Sequence, residues 1–155
     1  DVQFVLLGTG DTEYEAYFKD LANRYKGKAV SIIAFNGDLS RKIYSGADIF
    51  LMPSKSEPCG LSQMIASRYL TVPVVRETGG LYDSIKPYGA GGNGFTFAAY
   101  NAGDMLYVLR EAIALYKDEP QWKKLMIKAG TTDFSWQRSA EEYKKLYSDT
   151  LALLK

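Results

Sequence analysis

The sequence predicts an α/β domain, a parallel sheet covered by helices on both faces and followed by an all-helical segment. Short apolar runs alternate with longer amphipathic stretches. The runs are apolar throughout instead of alternating apolar and polar, as expected of parallel strands buried on both faces. From Asn101 onward only helical spacing remains. The 155 residues suit one domain.

The elements follow in order. Val2–Gly8 reads as a buried strand, ended by the turn Gly8–Asp11, which also supplies helix-cap chemistry. Glu13–Tyr25 has helical spacing, with Tyr14, Phe18, Leu21 and Tyr25 on one face and Gly27 just beyond its end. Ala29–Phe35 is a second strand, and Asp38 or Ser40 caps a short helix running to Gly46. Asp48–Ser54 is a third strand, stopped by Pro53. A helix from about Gly60 to Tyr69 leads into the fourth strand, Val72–Val75. Thr78–Ile85 is a tight turn entering a short helix, Tyr88–Gly94 a flexible glycine-rich loop, and Phe95–Phe97 a last short strand. Helices are then expected at Asp104–Lys117, at Pro120–Ala129 with proline in the first turn, and from about Ser139 to the end.

Composition narrows the function classes. Charge is balanced, 19 basic against 18 acidic residues, which argues against nucleic acid or an anionic membrane as partner. No apolar run approaches the roughly 20 residues of a membrane span. A signal-peptide pattern is absent and the single cysteine cannot form an internal disulfide, so a cytoplasmic location is expected. Without histidine, the chain has no Ser-His or Cys-His pair and no imidazole metal site. It opens directly on a strand with no initiator methionine, which reads as part of a longer protein.

Ligands of parallel α/β sheets lie beyond the carboxyl ends of the strands. There the unusual residues collect: Gly8–Asp11, Phe35–Asn36, Ser54–Ser62 and Arg76–Gly80. Cys59 is either a nucleophile activated by a helix N-terminus or, more in keeping with the lack of histidine, a small packing residue. Gly60, Leu61 and Ser62 open a helix, where unpaired N–H groups and the helix dipole suit a phosphate, although water or a cap satisfies many such ends. Thr78, Gly79 and Gly80 form a second glycine-rich helix start that fits a plain turn equally well. Gly8 and Gly10 have the look of a dinucleotide fingerprint that lacks its third glycine. Glu57 is a solvated loop charge or, if functional, faces something other than phosphate, such as sugar hydroxyls or developing positive charge. Phe35 suits a core position or a platform for a base.

Taken together, "GADIFLMPSKSEPCGLSQMIASRY" and "TVPVVRETGGLYDSI" resemble the bacterial glycogen synthases and plant starch synthases. The Glu57-Pro58-Cys59-Gly60-Leu61 and Thr78-Gly79-Gly80-Leu81 segments carry the resemblance most specifically, and "LLGTGD", "KIYSGAD", "GFTF", "ALYKD" and "DFSWQRSAEEY" extend it along the chain. The resemblance implies a Rossmann-like fold, the C-terminal domain of the two-Rossmann-domain (GT-B) glycosyltransferase architecture, spanning residues 1–155 without its N-terminal acceptor domain. It implies a retaining transferase, without metal or cofactor, that passes glucose from ADP-glucose to the non-reducing end of an α-1,4-glucan. Glu57 would face the donor glucose as the catalytic carboxylate. Cys59, Gly60, Leu61 and Ser62 would hold donor sugar and diphosphate, and Phe35 would stack on the base. Gly8, Gly10, Thr78, Gly79 and Gly80 would contribute donor-site loops.

Two positions depart from the family pattern: Ser56 stands where an aromatic precedes the motif glutamate, and Leu70 where glycine follows "RY". The resemblance also implies a sheet lacking one strand, between those read at Val2–Gly8 and Asp48–Ser54, so that the chain closes a gap, borrows a strand, or pairs with another copy in self-association through an incomplete sheet. The expectations are an isolated chain that is inactive and binds ADP or ADP-glucose weakly, with the glucan acceptor met through the absent domain. The alternatives are a non-catalytic excised or engineered scaffold, or another GT-B glycosyltransferase using a different nucleotide sugar.

Overall fold

The computed structural model describes residues 1–89 and 91–153. The chain divides into two compact units, Asp1–Ala47 and Asp48 onward. Its five strands form two parallel sheets, one of two strands and one of three.

The first unit is β1 (Phe4–Leu7), α1 (Thr12–Arg24), β2 (Ala29–Ile32) and α2 (Gly37–Gly46). β1 and β2 pair in register from Phe4 opposite Ala29 to Leu7 opposite Ile32. Both strands are shorter than the apolar runs that announce them. The expected apolar face of α1 is only partly used: Phe18 stacks on Phe4 at 6.0 Å and Leu21 is half-buried. Tyr14 and Tyr25 remain more than half exposed, at 57% and 54%. A two-stranded sheet is too narrow to cover the whole stripe, and Ala29 is the one residue of this unit that is buried among the described residues.

Both helix starts here differ from expectation. Asp11 precedes α1 without a side-chain cap bond, and the Glu15 carboxylate accepts from the Gly10 N–H at 3.1 Å. Asn36, not Asp38 or Ser40, caps α2, its Oδ1 accepting from Leu39 N at 2.9 Å. Asn36 has the extended backbone that a cap needs, whereas Asp38 and Ser40 already lie inside the helix.

The second unit contains β3 (Ile49–Met52), α3 (Ser62–Arg68), β4 (Val72–Arg76), α4 (Gly79–Ser84), β5 (Phe95–Phe97), α5 (Ala102–Tyr116), α6 (Glu119–Thr131) and α7 (Trp136–Leu153). The sheet order is β3-β4-β5, all parallel, with β4 central. Alternation along β4 divides the core between two faces. Val72 and Val74 pack with Phe95, Ala112, Trp122 and Leu125, which brings α5 and α6 onto one face. Val75 packs with Leu81 and Ile85, which seats α4 on the other, with Met52 and Phe134 beside it. At roughly 1.5–3 kcal/mol per buried aliphatic side chain, these two clusters hold most of the unit's cohesion.

The loop expected at Tyr88–Gly94 includes Ala90, which lies outside the described residues, as do Leu154 and Lys155 of the last expected helix. The loop's two ends are tied together. Tyr88 N donates to Gly94 O at 2.7 Å, and the buried Asn93 accepts from Lys86 N at 2.7 Å and donates to Ser84 O at 3.0 Å. α7 begins at Trp136, three residues before the expected start, and contains no buried residue among those described.

Candidate functional site

β3 ends at Met52 and Pro53 turns the chain away from the sheet, because proline cannot donate to a ladder. The loop from Pro53 to Leu61 then crosses the carboxyl edge of the sheet before α3 begins at Ser62. Arg76, the last residue of β4, anchors its start. The guanidinium donates to Lys55 O at 2.8 Å and to Ser54 O at 3.4 Å through Nη1, and to Ala98 O at 3.2 Å through Nε. The same group lies 5.3 Å from the centre of the Tyr100 ring.

The loop's second half rests on the Thr78–Gly80 turn. Gly80 N donates to Glu57 O at 3.1 Å. A Cβ on Gly79 would collide with Glu57 O, and one on Gly80 with Cys59 O. These two glycines are therefore a seat for backbone: any side chain would lift the Glu57–Cys59 segment off α4. Because the Gly80 N–H already has an acceptor, the turn offers a ligand less than its glycine content suggests.

Gly60 is buried, with φ +73°, and a Cβ there would lie 2.6 Å from Gln63 Oε1. Conformation and space both demand glycine. Glu57 is half-buried, and its carboxylate has no hydrogen bond or ion pair among the described residues. Cys59 is exposed, with Sγ donating weakly to Gly60 O at 3.7 Å. Leu61 is exposed and Ser62 half-buried. The N–H groups of Gly60, Leu61 and Ser62 have no acceptor among the described residues.

The structure thus brings Glu57, Cys59, Gly60, Leu61, Ser62, Thr78, Gly79 and Gly80 to one edge of the second unit. Gly8, Gly10 and Phe35 belong to the first unit. Phe35 is 97% exposed, which removes the core reading for its ring. A Cβ would meet nothing within 4 Å at Gly8 or Gly10, so nothing in the local packing calls for glycine there.

Sequence reasoning placed Arg76 at this edge without a role, and missed Gln63 and Ser84. Gln63 is fully buried and donates to Gly60 O and Ser84 Oγ, at 2.8 and 3.0 Å. The one local signal was a glutamine three residues after a glycine at a helix start. A groove of about 750 Å³ also opens in this unit, beside Cys59 and Gly80. Its three cations, Lys86, Lys128 and Arg138, are matched in number by Asp83, Asp133 and Glu142, so its lining carries no net charge to attract an anion. No group of three or more His, Cys, Asp or Glu able to hold a metal occurs among the described residues. No helix among them is long and apolar enough to cross a membrane.

Comparison with known proteins fits this arrangement. Residues 1–149 match the family described as "Glycosyl transferases group 1". The chain is 49% identical over 154 residues to a glycogen synthase of Bacillus cereus, covering 97% of this chain and 32% of that protein. It is 51% identical over 154 residues, with the same coverage, to a glycogen synthase of Kosmotoga olearia. The chain therefore spans about a third of the length of these relatives. Among solved structures, it superposes on the catalytic domain of starch synthase IV from Arabidopsis thaliana, bound to ADP and acarbose. The TM-score is 0.84 at 36% identity, covering 97% of this chain and 32% of the other. Parallel sheets, helices on both faces of β4 and a loop at the strands' carboxyl ends are accordingly those of a GT-B glycosyltransferase, and the chain belongs to the group 1 glycosyl transferases.

Proposed function

We propose that this chain is the nucleotide-sugar-binding part of a retaining glucosyltransferase of the glycogen and starch synthase kind, its donor ADP-glucose and its acceptor an α-1,4-glucan. The observation that carries the proposal is the half-buried Glu57 carboxylate, unpartnered among the described residues, next to the N–H groups of Gly60, Leu61 and Ser62. Glucosyl transfer passes through an oxocarbenium-like state, so a carboxylate facing the sugar stabilises charge that appears only as the bond breaks. The departing diphosphate takes up negative charge, which N–H donors already held in place accept without reorganisation. Cys59 lies between these roles as a small residue contacting the donor.

In this reading Phe35 stacks on the base, and Gly8, Gly10, Thr78, Gly79 and Gly80 shape the donor-site loops. ADP is favoured over UDP because the starch synthase neighbour is described as bound to ADP. The chain is a partial C-terminal domain, and the glucan binds through the two-thirds of the relatives' length that it does not span. The whole enzyme works in the cytoplasm without a metal or other cofactor. Alone, the chain binds ADP weakly, elongates no glucan and self-associates through unpaired strand edges.

Titration calorimetry with ADP tests this reading. Saturable heat is expected from the unsubstituted chain, and a Gly60→Val variant that keeps its circular dichroism spectrum should give none. An unsubstituted chain that takes up no ADP would overturn the donor-site assignment. Glucan elongation by the chain alone would overturn the division of labour between domains.

A further inference from the structure

We infer that Gln63 is the positioning residue of the Glu57–Ser62 loop, its buried side-chain amide setting the direction in which the Gly60 and Leu61 N–H groups point. The inference deepens the proposed function and, for its effect on ligand, rests on it. Gln63 is the second residue of α3 and has no solvent exposure. Its Nε2 donates to Gly60 O at 2.8 Å and to Ser84 Oγ at 3.0 Å, with a longer contact to Cys59 O at 3.4 Å. Ser84 Oγ in turn donates to Gly80 O at 2.6 Å, and Gly80 N donates to Glu57 O at 3.1 Å. A closed circuit therefore runs from the loop to α4 and back, through one glutamine and one serine.

The consequence follows from peptide geometry. In a trans peptide the C=O and N–H point in opposite directions. Drawing the Cys59 and Gly60 carbonyls inward to Gln63 turns the N–H groups of Gly60 and Leu61 outward, the same two amides that lack acceptors among the described residues. A second observation separates this from simple packing. Gln63 Oε1 is buried without a hydrogen-bond partner and sits against Gly60. An apolar side chain of equal volume would fill the space without stranding an acceptor. The site tolerates that penalty in return for donors placed where only the Nε2 group can reach both the loop and Ser84.

Gln63→Met tests the inference, because methionine keeps the length and volume and removes both donors. Ser84→Ala cuts the same circuit from α4 and changes far less volume. Residue-resolved amide exchange and ADP titration are measured on the full chain for the parent and both variants. Gly80 N–H, the bond from the seat to Glu57, should exchange about tenfold faster in each variant while the β4 amides are unchanged, and ADP affinity should fall about tenfold. The double variant should be no worse than the poorer single one, since both break one circuit. Gly80 exchange that is unchanged, or that rises in step with β4, would reduce Gln63 to a packing residue, as would unaltered ADP affinity in both variants. Should the parent bind no ADP, the proposed function fails, and the exchange pattern still decides whether Gln63 holds the loop. If Gln63→Met does not fold, Ser84→Ala alone decides both readouts.

Discussion

Leu70 follows the end of α3 with φ +65°, the one non-glycine residue in the left-handed region among those described. A Cβ in that region crowds the carbonyl oxygen, at about 1–2 kcal/mol. Some return comes from packing: a Cβ on Gly130 would collide with Leu70 Cδ2, so the leucine lies over that glycine, yet 43% of it stays exposed. A half-exposed contact is worth less than the backbone strain, and Leu70→Gly should stabilise the chain by about 1 kcal/mol, read as a higher urea midpoint with unchanged slope. A lower midpoint would show that the contact with Gly130 outweighs the strain. Ser56 needs a different account: it is exposed, where a hydroxyl is better hydrated than an aromatic ring.

At the scale of elements, the loop after β3 and the turn before α4 form one structure. The turn is glycine because the Glu57–Cys59 backbone occupies the space that side chains would need. Gly80→Ala should therefore destabilise the second unit by about 1–3 kcal/mol, the usual range for overpacking, and alter the rate at which a thiol reagent labels Cys59. Unchanged stability and labelling would mean that the two segments part without cost. This pairing also shows what the sequence could reveal. The order of strands and helices was legible because apolar runs and helical spacing are local, and the placing of Glu57, Cys59 and Gly60 on one loop was legible because they are neighbours in sequence. Arg76 reaches Lys55 across 21 residues, as Gln63 reaches Ser84, and no local pattern records contacts that exist only once the sheet has formed. The caps were misread for a related reason. Several polar side chains stand near each helix start, and backbone geometry decides which one bonds: Asn36 takes Leu39 N, while Glu15 takes Gly10 N, ahead of α1.

For the whole molecule, the two sheets decide behaviour in solution. β1 pairs only with β2, and β3 only with β4, among the described residues, so each sheet ends in strands with unpaired N–H and C=O groups. The first unit is the weaker of the two. Its 47 residues include one buried side chain, and Val2, Val5 and Val30 are each about half exposed, at 55%, 48% and 48%. A sheet of two strands with an apolar exposed face is marginal in water, and pairing with a further strand both satisfies its edge and covers that face. A second copy of the chain can supply that strand. Sedimentation velocity should accordingly show dimers or larger species that grow with concentration. Val5→Lys should shift the distribution toward monomer, because a charge on β1 resists both edge pairing and apolar contact. Such a shift would place the association at the first sheet. Dimers that persist unchanged in Val5→Lys would move it to the second unit, and a parent chain that stays monomeric at every concentration would show that the open edges are protected by the fold itself.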